Sequence, residues 1–148
     1  MKKFIKWWLP VVVWMSVIFV GSSLSDLPEV GDETADGLLH RAAHILEFGV
    51  LGGVTLRAVS QDKPITKRAI LVALIVSVLY SVSDEFHQRF TPGRSSDGST
   101  VLLDVAGGLM GVWAYRWWGQ RITRAAVGQH TAELANQRAS VAMSDPES

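Results

Sequence analysis

Three short patterns in this chain put acid/base residues at helical spacing. His40, His44 and Glu47 recur at i, i+4 and i+7. At ~100° per residue they fall within about 60° of one helix face. Tyr80, Asp84 and His87 repeat that spacing, while Ser81, Glu85 and Gln88 mark a second face of the same segment. Imidazoles beside carboxylates can bind a cation, form a hydrogen-bonded relay, or serve as general acid and base. The structural alternative is a buried His44–Glu47 pair with His40 among headgroups, and a solvated helix end around residues 84–88. Short acids cannot snorkel far, so Asp84 and Glu85 are expected to face protein or a wet cavity.

The loop that follows, "RFTPGRSSDGS", carries a Pro92-Gly93 turn, with Pro presetting φ and Gly supplying the left-handed position. Such a turn can fold Arg94 back over the acidic helix end, to neutralise a carboxylate or clamp an anion. The alternative for Arg94 is an interfacial arginine on a lipid phosphate. Asp104, inside "TVLLDVAGG", needs a partner if buried, because a lone buried carboxylate is costly. Gly49-x-x-x-Gly53 and Gly107-x-x-x-Gly111 read as helix-packing spacings. Ser95 and Ser96 have no general base at a diagnostic distance in sequence, so a serine nucleophile is unsupported. With no cysteine, thiolate chemistry and disulfides are excluded. The His and carboxylate set lacks the H-E-x-x-H pattern, so no metal and no cofactor are expected.

The elements that hold these residues are apolar blocks. Hydrophobic residues make up 48% of the 148 positions and charged residues 19%, so the two must be segregated. The blocks 7–21, 69–83 and 101–118 each approach the ~20 residues that cross a bilayer as helix, and 38–58 is a weaker fourth. The expectation is an all-α integral membrane bundle of about four transmembrane helices over residues 1–118. A polar tail over 119–148, partly helical or disordered, would follow. "MKKFIK" before the first block resembles a signal-peptide start, but an A-x-A site is missing and Trp7 and Trp8 suit a retained anchor.

Net charge is zero, with 14 Lys plus Arg against 14 Asp plus Glu, yet the connectors sort by sign. Lys2, Lys3 and Lys6, then Arg57, Lys63, Lys67 and Arg68, then Arg116, Arg121 and Arg124 flank one side. The connector 23–37 is acidic, and 89–99 holds two arginines. Basic short loops stay in the cytoplasm, so both termini are expected inside and the polar residues of three blocks converge at one outer depth.

"HRAAHILEFGVLGG", "LYSVSDEFHQRFTPGRSS" and "LLDVAGGLMG", with "FVGSSLSDLP" at the first block's exit, together resemble the VanZ-like family of small bacterial membrane proteins. The resemblance spans roughly residues 4–118. It implies an envelope protein of the bacterial cytoplasmic membrane, of the type tied to teicoplanin resistance. It also assigns weight to Arg41, His44, Glu47, Asp84, Glu85, Gln88, Pro92-Gly93-Arg94 and Asp104. Two positions depart from the family's habit: Phe48 stands where Tyr is common, and Gly108 where Asn or Asp is common.

Two functions stay open. One is an outer-leaflet pocket for an anionic lipid or cell-wall precursor, with Arg41, His44 and Arg94 holding the anion and Glu47, Asp84, Glu85, Gln88 and Asp104 positioning them. The other is a membrane-embedded acid/base enzyme acting on an envelope lipid or lipid-linked substrate, using His44, Glu47, Asp84 and Glu85. A proton pathway is disfavoured because the inner halves of the blocks read as apolar. A helix-mediated homo-oligomer is compatible with the glycine spacings, and no nucleic-acid partner is expected.

Overall fold

The computed structural model describes residues 2–24, 33–61, 63–91 and 99–119, together with Glu133. Four helices carry them: α1 (Lys2–Ser23), α2 (Glu33–Ser60), α3 (Lys67–Gln88) and α4 (99–119). No strand occurs among the described residues. The chain divides into two compact units, Met1–Tyr115 and Arg116–Ser148. All packing below is within the first. In the second, only the last residues of α4 and Glu133 are described, so the expected character of the tail lies outside the described residues.

Local chemistry sets the helix limits. Thr66, extended at φ −95° and ψ 157°, caps α3 by accepting a 3.1 Å hydrogen bond from the Ala69 amide. α2 stops where Gln61 turns left-handed at φ 50°, its amide donating back to the Arg57 carbonyl at 2.9 Å. Pro10 sits inside α1 and removes one backbone donor there, a feature tolerated in apolar spans.

α1, α2 and α3 are each long and apolar enough to cross a membrane, over Phe4–Ser23, Gly37–Ser60 and Lys67–Gln88. This corrects the ranking of the blocks. The 38–58 segment, read as the weak one, qualifies, and 99–119 is not among the three. Asp104, three tryptophans, Arg116 and four glycines dilute the aliphatic content of α4.

Helix α3 shows how the bundle is built. Its buried residues are Ala69, Ala73, Ser77, Ser81, Asp84, Glu85 and Gln88, a stripe of small and polar side chains at steps of three and four. Its large apolar side chains point the other way, with Leu79 65% and Phe86 60% exposed. In water this would be inside out; in lipid it is the stable arrangement, because tails solvate aliphatics and polar groups must find protein partners. α2 is central. It shares one apolar cluster with α1 (Trp7, Val11 and Ile18 against Phe48, Leu51 and Ala58). It shares another with α3 and α4 (Leu56 against Ala69, Ala73 and Val112).

Both glycine spacings are spent on one crossing. A Cβ on Gly52 would stand 2.5 Å from the Gly108 carbonyl oxygen. A Cβ on Gly107 would overlap the Ile45 carbonyl, and one on Gly111 the Gly49 carbonyl. α2 and α4 therefore touch backbone to backbone, which only residues without a side chain allow.

Candidate functional site

α2 and α4 meet through side chains immediately beside that crossing. His44 Nδ1 lies 2.8 Å from Asp104 Oδ1, and the Ser81 hydroxyl donates to Asp104 Oδ2 at 2.8 Å. All three residues are buried. A carboxylate only accepts, so Nδ1 carries the proton and Nε2 is the ring nitrogen left for other chemistry. His40 stacks edge-on against His44, ring centroids 4.7 Å apart.

A second network links α1 to α3. Gln88 Nε2 donates to Asp84 Oδ2 at 2.9 Å and reaches the Ser22 hydroxyl at 3.4 Å. Asp84 is 4% exposed, and its Oδ1 has no hydrogen-bond partner. Glu85, also buried, accepts a 2.6 Å bond from Thr100 at the start of α4. His87 Nε2 pairs with the Ser23 hydroxyl at 3.0 Å, its ring against Phe19.

The sequence-derived set is thus mostly brought together. His44, Asp84, Glu85, Gln88 and Asp104 are buried at one end of the four helices. Glu47 is half-buried. Its backbone carbonyl accepts from Trp14 Nε1 at 2.8 Å, and its Oε1 would sit 3.8 Å from a Cβ on Gly21. Arg41 is exposed on α2. Arg94 and the Pro92-Gly93 turn lie outside the described residues. The hydrogen-bonding partner of the His44 ring is Asp104, on α4.

Both family departures have local explanations. A Cβ at Gly108 would meet Ser77 Cβ at 3.2 Å, so a larger residue there would press on α3, and Asp104 finds its partners on α2 and α3 instead. Phe48 is fully buried with its ring centroid 6.3 Å from that of Tyr80, whose hydroxyl donates to the Met15 carbonyl. A phenol thus stands close by without Tyr at 48.

Four participants were missed as site residues: Ser22, Ser23, Ser81 and Thr100. "GSS" at the end of α1 and Ser81 on the Glu85 face were the available signals. Polar groups also reach deeper than the sequence reading allowed, since Thr55, Ser60 and Ser77 are buried. The Oγ atoms of Thr55 and Ser60 have no hydrogen-bond partner.

The acids do not line the groove found on this unit. That groove, about 280 Å³, is lined by Val12, Met15, Ser16, Phe19, Val20 and Tyr80. Phe19, against the His87 ring, and Tyr80, one turn before Asp84, border both the groove and the polar residues. Among the described residues, no three His, Asp or Glu side chains converge in metal-holding geometry. What the cluster offers chemically is a carboxylate-oriented imidazole, one carboxylate oxygen without a donor, and a shell of hydroxyl and amide donors.

No curated protein and no solved structure shows a significant match to the chain. A family model described as VanZ/LLP1 matches residues 7–119, all four helices apart from the first residues of α1. That match covers well over half the chain, and three of the helices suit a membrane; this is a membrane protein that belongs to the VanZ-like family.

Proposed function

We propose that this VanZ-like protein is a multi-pass protein of the bacterial cytoplasmic membrane, with both termini inside and its polar cluster in the outer leaflet. There it binds the polar headgroup of an anionic envelope lipid or cell-wall precursor, and through that contributes to tolerance of glycopeptides such as teicoplanin. The observation that carries this reading is the buried convergence of Ser22, His44, Ser81, Asp84, Gln88 and Asp104 from four helices. Structural needs alone ask for fewer polar groups, since an apolar bundle packs without them. Arg41 and Arg94 supply positive charge to the anion, and the acids fix the geometry.

The test is tolerance to envelope drugs in cells carrying Arg94→Ala and Asp84→Ala, at equal protein levels. Reduced tolerance in both supports the reading; tolerance equal to that of the parent protein sinks it. Because the chain has no cysteine, Gly93→Cys gives a single site for an impermeant thiol reagent. Labelling from outside the cell is expected, and labelling only after lysis overturns the orientation.

A second reading rests on His44 itself. Asp104 holds Nδ1–H as an aspartate orients a catalytic imidazole, leaving Nε2 to accept or return a proton. On this reading the protein is an acid/base enzyme on a lipid-linked substrate, with Glu85 as the partnering carboxylate. Turnover of envelope lipids by purified protein, abolished by Glu85→Gln, is its signature.

A further inference from the structure

The end of the bundle opposite the acids carries a different site. Lys6 of α1 and Arg57 of α2 both pack on Trp7, with Nζ 4.5 Å and the guanidinium carbon 4.9 Å from the same ring centroid. Trp7 is 8% exposed and Arg57 is half-buried. Among the described residues the one ion pair is His44–Asp104, so neither Lys6 nor Arg57 has a carboxylate in range. Two like charges gathered on one indole repel each other. The ring quadrupole offsets part of that repulsion, and a bound anion would offset the rest. Lys63, Lys67 and Arg68 follow in the adjoining connector and first turn of α3, raising the positive potential at this end.

We infer that this basic end of the bundle binds the phosphate of an anionic phospholipid headgroup, through Lys6 and Arg57. An amphiphile fits better than a soluble phosphate because the charge is bordered by an exposed apolar wall. Leu9 is 53% and Val13 51% exposed, at i+3 and i+7 from Lys6 and further into the apolar span Phe4–Ser23. The headgroup meets the cations while an acyl chain lies along Leu9 and Val13. This site is independent of the polar cluster and of the function proposed for it.

Native mass spectrometry of the whole protein in detergent tests this, titrating phosphatidylglycerol against phosphatidylcholine. Phosphatidylglycerol is expected to bind about tenfold more tightly, and the Lys6→Gln/Arg57→Gln variant to lose that preference. Phosphatidylcholine adducts should be unchanged, and Arg57→Lys should keep most of the preference. If the double variant loses helicity, the parent protein still decides: its preference should fall as NaCl rises. Equal binding of the two lipids, a preference untouched by the double variant, or one insensitive to salt overturns the site. Displacement of phosphatidylglycerol by millimolar inorganic phosphate alone would also overturn it, reassigning the two cations to a soluble anion.

Discussion

From Ile45 to Gly53, α2 meets α4 backbone to backbone; one residue earlier, at His44, the same helices meet through an imidazole and a carboxylate. The first contact excludes everything, and its tolerance is set by volume. The second is set by pairing: Asp104 has a donor on each oxygen, and His44 and Ser81 depend on it. The closeness of the crossing makes the pairing possible, since short side chains such as Asp and Ser can bridge helices only where the backbones are near. Glycines therefore position the acid they do not touch. The two contacts should respond differently to substitution.

The largest effect is expected at the crossing. Gly111→Leu must push α4 off α2, because even a Cβ overlaps the Gly49 carbonyl, and folded protein should not be recovered from membranes. Gly37, with nothing within 4 Å of an added Cβ, is the contrast: Gly37→Ala should raise the thermal midpoint slightly, by up to about 1 kcal/mol of helix propensity.

Next comes the pair. Asp104→Ala leaves a buried imidazole and a buried hydroxyl without partners, and thermal unfolding in detergent should register a loss of roughly 3–5 kcal/mol. Asp84→Asn should cost clearly less, because one Asp84 oxygen has no donor to lose. If the two substitutions cost the same, the distinction drawn between a saturated and a half-satisfied carboxylate is wrong.

Ser81→Ala removes one donor from Asp104 Oδ2 and should destabilise by about 1–2 kcal/mol. A second stabilising change is expected at the end of α2. Gln61 holds φ 50° at the end of α2, so Gln61→Gly should stabilise by about 1 kcal/mol, seen as a small rise in the same midpoint.

Much of this was legible in the sequence, and the reason for the rest is geometric. Helical spacing put Ser81, Asp84, Glu85 and Gln88 on adjoining faces, and they are all buried. Spacing within a helix says which residues share a face, not which residue of another helix stands opposite. His44 was therefore paired with its own-helix neighbour Glu47, when its partner is Asp104, sixty positions away. The hydroxyls of Ser22 and Thr100 carry an ambiguous signal, because serines and threonines in helices commonly bond their own backbone, as Ser16 and Ser23 do here. Block hydropathy averages over two unlike sides of α4: Asp104 and the glycines meet protein, while Leu102, Met110 and Trp113 are exposed.

One double-mutant cycle tests the centre of this account: unfolding free energies of the parent, His44→Ala, Asp104→Ala and the combined variant, in one detergent. If His44 and Asp104 bond each other inside the bundle, the two losses overlap, leaving a coupling of about 2 kcal/mol. Losses that simply add, within about 0.5 kcal/mol, would mean the imidazole and the carboxylate never meet, and the cluster built on them would fall.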